Sequence, residues 1–234
     1  MGDLDYNEYI RLASLHDAVR PLTPVDDEFV HGAEHLFIIT HQVAELWLKQ
    51  VLLDLDLAVR ALTDRGLGLA CEHLARAAHL LDQVVTTTFV LTRLPPGDFA
   101  RFRGLLGTAS GAQSPQFREL AVRLGVRQPD GCVVYELFEA VLEENSLSVA
   151  DLYRWGPPAG IPYRLAEVLS DLAQAFYRWQ VNHVEIVRRA IGSASGTGGT
   201  SGLNHLSNRI ELPFPALWAA RSATVWESAG QTLP

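Results

Sequence analysis

The stretch "HLFIITHQVAELWLKQVLLDLDLAV", residues 35–59, admits few folds. Its apolar residues recur at the three-and-four spacing of an α-helix, along two adjacent stripes. One stripe is Leu36, Ile39, Val43, Leu46 and Trp47; the other is Phe37, His41, Ala44, Leu48, Leu52, Leu55 and Val59. Only Glu45, Lys49, Asp56 and Arg60 make a polar edge, with Glu45 and Lys49 at the spacing of a helical ion pair. A helix apolar over so much of its circumference needs other helices around it. The pattern predicts a long central helix over 31–65, and it sets an imidazole on a buried stripe.

Helical periodicity governs the rest of the chain as well. "LGLACEHLARAAHLLDQVVTTTFVLTRL" carries Leu74, Ala77, Leu81, Val84 and Val85 on one face and is stopped by "PPGD" at 95–98. A short helix is expected around "FARFRGLL", and "SPQFREL" reads as a helix start, with Ser114 as cap and Pro115 in the first turn. Further helices are predicted over 132–145, 148–154, 162–191 and 214–226, with Ser148 and Asp151 at capping-box spacing. The helix "RLAEVLSDLAQAFYRWQVNHVEIVRRAIG" mirrors the central one: Leu165, Leu169, Leu172, Phe176, Trp179, His183, Ile186 and Ala190 share a face, and Gly192 ends it. No run alternates with period two. The expected fold is all-α, a bundle with long antiparallel helices.

Composition narrows the function classes. The 234 residues contain no linker-like break, so 1–234 reads as a single domain. With 48% apolar and 20% charged residues the chain has the make-up of a soluble globular protein. The formal charge of −8 and the dispersed arginines argue against a nucleic-acid partner. No uninterrupted apolar run reaches membrane-span length, and "MGDLDYNEY" has no signal-peptide core, so a cytoplasmic protein without membrane contact is expected. Cys71 and Cys132 are far apart and outside metal-ligand spacing, which predicts buried free thiols. The stretch "GSASGTGGTSG" at 192–202 suits a linker or a close backbone approach to a ligand; it lacks the ending of a nucleotide-binding P-loop.

Two histidines on the apolar faces of two long helices have three readings. Each can be a core histidine satisfied by a hydrogen bond, or the pair can bracket a haem, one as ligand and one in the distal pocket. The third reading is a metal-bundle site built from Glu34, His35, His41 and Glu45 in "HGAEH" and "HQVAE", although the Glu-x-x-His pairs of di-iron bundles are absent. Arg101 and Arg103 can be solvated helix residues, or Arg103, after Phe102 and before a Gly/Ser turn, can clamp an anion.

"LDYNEYIRL", "HLFIITHQVAELWLKQ", "FRGLLGTASGAQSPQFR" and "WQVNHVEIVRRAIGSASGTGGTSGL" occur in this order, and together they resemble the tryptophan 2,3-dioxygenase family, haem enzymes that open the indole ring. The resemblance implies a b-type haem enclosed by the bundle, with His183 as axial iron ligand. It sets His41 as the distal histidine that meets the indole N–H, with Phe37 lining the pocket. Arg103 falls at the carboxylate clamp, Thr197 at the loop threonine that contacts the ammonium and carboxylate end, and Ser110 at the small residue beside the haem. Tyr6, Tyr9 and Ile10, within residues 1–20, match a segment that in the family enters a neighbouring subunit's site, which implies a homo-oligomer, typically a tetramer.

The implied reaction consumes O2 and converts L-tryptophan, or a substituted tryptophan, to an N-formylkynurenine. Three departures from the family pattern bear on it: Ala112 where the family usually has Phe, Ala44 where it has a larger residue or a hydroxyl, and a shorter span from Ser110 to His183. Two truncated pocket residues would suit a larger substrate, or a branch that inserts one oxygen to give a 2-oxindole or hydroxylated product. A haem-binding sensor without turnover is the alternative of another class; the joint presence of Arg103 and Thr197 speaks against it.

Overall fold

The structure, a computed structural model, describes residues 4–126, 132–195 and 203–228. Two short helices that periodicity did not predict open the chain. Asp5 caps the first, α1 (Tyr6–Tyr9), accepting the Glu8 N–H at 2.8 Å. Arg11, at φ 54°, turns the chain into α2 (Leu12–Asp17). The predicted central helix follows as α3 (Glu28–Thr63), 36 residues long. Only one of its two apolar stripes is buried: Ala44, Leu48, Leu52 and Leu55 are in the core, whereas Ile39, Leu46 and Trp47 are exposed. The polar edge also differs from the expectation. No Glu45–Lys49 ion pair forms; Gln116 donates to the Glu45 carboxylate at 2.6 Å and to its carbonyl at 2.8 Å.

A three-residue turn leads into α4 (Leu67–Phe89), which buries Ala70, Cys71, Leu74, Ala77, Leu81 and Val84. After a 3-10 turn, Pro96 occupies the first turn of α5 (Pro96–Arg103), where its missing N–H costs nothing; "PPGD" starts a helix as well as ending one. Ser114 caps α6 (Pro115–Arg123) through the Phe117 N–H at 3.3 Å. Then come α7 (Val133–Glu144) and α8 (Val149–Trp155), the latter with the expected Ser148–Asp151 capping box. The second long helix is α9 (Ile161–Ile191), ended by Gly192 at φ 57°, a left-handed conformation that glycine adopts without steric cost. Two helices, α10 (Leu203–Ser207) and α11 (Pro215–Ser228), complete the described chain, and no strand occurs among the described residues.

Pairings between helices give their directions. Arg164 meets Glu72, Arg178 meets Asp82, and Asn182 donates to Val85 O and Thr88 Oγ1, so α9 runs parallel to α4. The tight turn makes α3 antiparallel to both. Leu48, Leu55, Leu74, Leu81, Leu165, Leu169 and Phe176 meet in the main core, which also holds both free cysteines. This arrangement brings the N-terminal half of α3 to the C-terminal half of α9, and with it the two predicted histidines. On average α3 has the length and hydropathy of a membrane-crossing helix, which no single apolar run suggested. It carries the buried carboxylates of Glu34 and Asp54 and packs along α4, the signature of a core helix.

Asp54 is the charged centre of the α3–α4 contact. It is 0% exposed and accepts hydrogen bonds from Gln50 at 3.2 Å, from His73 Nδ1 at 3.1 Å and from Arg76. Burial alone would raise its pKa; the bonds from Arg76, Gln50 and His73 hold it below the usual carboxylate range. Arg76→Leu leaves this carboxylate buried without its cation, and an uncompensated buried charge destabilises the fold. Urea unfolding at neutral pH should show a lowered midpoint, and an Asp54→Asn second change should recover part of the loss. Because ionised Asp54 is what the single variant strands, its deficit should shrink as pH falls into the carboxylate range.

Candidate active site at the junction of three helices

Phe37 and His41 stand one turn apart on α3, with ring centroids 4.2 Å apart. Phe99 and Phe102 of α5 pack on Phe37 at 5.8 and 5.6 Å and on each other edge-on at 5.2 Å. Val30, Ala33 and Leu94 join them, and Ala190 and Ile191 at the end of α9 close this second, smaller cluster. Aromatic packing therefore fixes α5 against both long helices, and Arg103 follows directly on buried Phe102.

The His41 ring bonds to the Phe37 carbonyl through Nδ1 at 2.7 Å. A carbonyl only accepts, so Nδ1 carries the proton and Nε2 keeps its lone pair. Burial lowers the His41 pKa, against opposing effects of the Phe37 hydrogen bond and the Glu45 charge, which keeps the ring neutral. Neutral His41 is thus a hydrogen-bond acceptor at Nε2.

His183 faces the same region from α9. Burial, and then the nearby His41, push its pKa down to about 4. Its ring lies nearly parallel to that of Trp179 at 5.8 Å, and Trp179 stacks in turn on Phe117 of α6 at 4.2 Å. Neither His183 nitrogen has a hydrogen-bond partner among the described residues. A neutral imidazole with no hydrogen-bond partner among the described residues, backed by apolar rings, has the chemistry of an iron ligand, so the residues here fit a haem. The reading of His183 as a hydrogen-bonded core histidine does not fit.

The metal-bundle reading fails on geometry. Glu34 accepts the backbone N–H groups of Leu22 and Thr23, His35 is exposed, and Glu45 is taken by Gln116. No group of three metal-ligating side chains converges among the described residues.

Of the other candidates, Arg103 is half-buried and donates to the Ser195 carbonyl, four residues past the end of α9. It therefore stands beside the start of the glycine-rich segment, whose Thr197 lies outside the described residues. Arg101 pairs with Asp27. Ser110 caps a short turn at Gly111–Gln113, its Oγ accepting Ala112 N–H at 3.4 Å, and makes no hydrogen bond to either histidine. Tyr6 and Tyr9 are 71% and 77% exposed, and Ile10 is half-buried; none stacks on or hydrogen-bonds to α3, α5 or α9. Sequence reasoning missed the roles of Phe117, Gln116 and Glu34, whose partners are distant in sequence. Trp179 was legible, one turn before His183 on the same face.

The comparisons with known proteins decide the family. The family model described as tryptophan 2,3-dioxygenase matches residues 1–149 and 148–224. The tryptophan 2,3-dioxygenase of Saccharopolyspora erythraea is 33% identical over 264 residues, covering 94% of this chain and 92% of that protein. That of Bordetella parapertussis is also 33% identical, covering 94% and 91%, and that of Burkholderia lata 33%, covering 94% and 83%.

The chain belongs to the tryptophan 2,3-dioxygenase family.

As a member of this enzyme family it is short. The 264 aligned positions take in 94% of its 234 residues, about 220, so about 44 positions are gaps on its side. The two matched stretches meet at 148–149, where residues 145–148 alone join α7 to α8. This agrees with the expected shortening between Ser110 and His183. Of the other two departures, Ala44 is buried in the main core and Ala112 is exposed on its turn.

Proposed function

We propose that this chain is a haem-dependent dioxygenase acting on L-tryptophan, and that its helices form one catalytic domain. The reaction adds both atoms of O2 across the indole C2–C3 bond and breaks that bond, giving N-formylkynurenine with no net electron supplied. The observation that carries this reading is the pair of neutral imidazoles facing each other from α3 and α9, within a chain matched over nearly its whole length by tryptophan 2,3-dioxygenases.

His183 would hold haem b through a ring nitrogen, with Ser110 beside the macrocycle. The ferrous haem, when bound, supplies O2 activation. The protein's own part is orientation. His41 Nε2, free because Nδ1 is committed to Phe37 O, accepts the indole N–H and fixes the ring's edge. Phe37, held by Phe99 and Phe102, forms an apolar wall that keeps water away. Arg103 offers its planar fork to the amino-acid carboxylate, and Thr197 meets the ammonium and carboxylate end. Tyr6, Tyr9 and Ile10 enter a neighbouring copy's site in a homo-oligomer, a tetramer on the family pattern; their exposure here supports that reading. The cytoplasm is the proposed location. A substituted substrate or a single-oxygen product draws no support from Ala44 or Ala112.

Turnover of L-tryptophan under 18O2 should give N-formylkynurenine carrying two labelled oxygen atoms; a product with one label contradicts the dioxygenase reading. His183→Ala should leave little bound haem after purification, and added imidazole should restore it; a wild-type Soret band without imidazole would remove His183 as the ligand. Arg103→Lys keeps the charge but loses the fork, so tryptophan affinity in equilibrium titration should weaken by about 1.5–3 kcal/mol. An unchanged affinity would make Arg103 a tie to Ser195 and nothing more.

A further inference from the structure

Glu34 is 1% exposed on α3, two helical turns before His41, and no lysine or arginine among the described residues pairs with it. Its two oxygens instead accept backbone N–H groups of a segment without regular structure, Leu22 at 3.0 Å and Thr23 at 2.8 Å. Bonds from amides to a carboxylate are about twice as strong as neutral ones. His31 Nδ1 lies 2.9 Å from the Thr23 carbonyl, and Gln42 Nε2 donates to the Ala18 carbonyl at 2.9 Å, so α3 grips residues 18–23 at three places. N-terminal to Ala18 the grip of α3 stops: residues 4–17 bond among themselves and to Ala18, Val19 and Arg20, and no hydrogen bond or ion pair among the described residues joins them to α3 or any later helix. Yet Leu4, Tyr6, Tyr9 and Leu15 there are 70%, 71%, 77% and 43% exposed. A segment clamped at its root, free beyond it and apolar on its open surface is shaped to be covered by something other than its own chain.

We propose that Glu34 is a positioning residue for the neighbouring copy's active site: it fixes the point at which the N-terminal arm leaves α3, so that α1 reaches a second copy of this chain. This rests on the reading that Tyr6, Tyr9 and Ile10 act in that neighbour's site. Glu34 then serves no chemistry in its own copy, although it lies on the same helix as His41. Loss of the Glu34 carboxylate frees the arm's root while leaving His41, His183 and Arg103 in place.

The test is complementation in mixed oligomers of the haem-loaded protein. Glu34→Ala and Glu34→Gln homo-oligomers should keep the wild-type Soret band and haem content, while kcat/KM for tryptophan falls about tenfold or more from the misplaced arm. Each is co-expressed with His183→Ala carrying a second tag, and oligomers holding both chains are isolated. A site with a Glu34 variant's haem and a His183→Ala chain's arm is intact, so random pairing should return about one quarter of wild-type activity. A Tyr6→Ala chain paired with His183→Ala serves as the control for arm sharing. Recovery in the control without recovery in the Glu34 mixtures overturns the role of Glu34 and leaves the arm reading standing. Recovery in neither overturns both. Full activity of the Glu34 homo-oligomers, or loss of haem from both variants, also overturns the proposal, the latter because Glu34 would then support its own chain's fold.

Discussion

Burying an imidazole among apolar side chains costs its hydration, and a helix offers it few partners, because its backbone N–H groups are already bonded. The His41 ring uses the second lone pair of the carbonyl one turn back, Phe37 O, at 2.7 Å. That bond fixes the tautomer, holds the ring against Phe37, and directs the unshared Nε2 lone pair away from the backbone. Everything proposed for substrate orientation follows from it. A histidine hydrogen-bonded through both nitrogens would be a core residue, and one protonated at both could not accept an indole N–H.

The long helices set where this acceptor points. α4 joins α3 through a three-residue turn and runs beside α9, which makes α3 and α9 antiparallel and brings His41 opposite His183. Each ring's burial disfavours its protonation, and His183 is further disfavoured by its neighbour. The outer helices hold this pair from behind. α5 presses Phe99 and Phe102 on Phe37, and α6 supplies Phe117 against Trp179, which backs His183. A junction of three helices thus carries one hydrogen-bond acceptor, one imidazole with no hydrogen-bond partner among the described residues and one guanidinium, with apolar surface between them.

Much of this was legible from periodicity. The bounds of α3, α4, α7, α8 and α9 follow from apolar spacing and from Ser, Pro and Gly at their ends, because those signals are local. The facing of His41 and His183 was also readable, since each lies on the buried stripe of its own helix. Distant partners were not. Glu34 and Glu45 looked like possible metal donors; the N–H groups of Leu22 and Thr23 and the Gln116 amide that occupy them come from elsewhere in the chain, and nothing in the local pattern announces them. Ile39, Leu46 and Trp47 looked as buried as the stripe beside them, but a helix in contact with neighbours on one side leaves the other open. The same limit applies to Ala44 and Ala112: the missing side-chain volume was plain, while the direction it faces depends on packing.

In the proposed site one histidine, His183, ligates the haem iron and the other, His41, stays free as an acceptor. Electron paramagnetic resonance of the ferric haem-loaded protein, without substrate, distinguishes this from ligation by both rings. Ligation by one histidine should give a high-spin signal, converted to low spin by added cyanide. A low-spin bis-histidine signal in the resting protein, lost on His41→Ala, would contradict it.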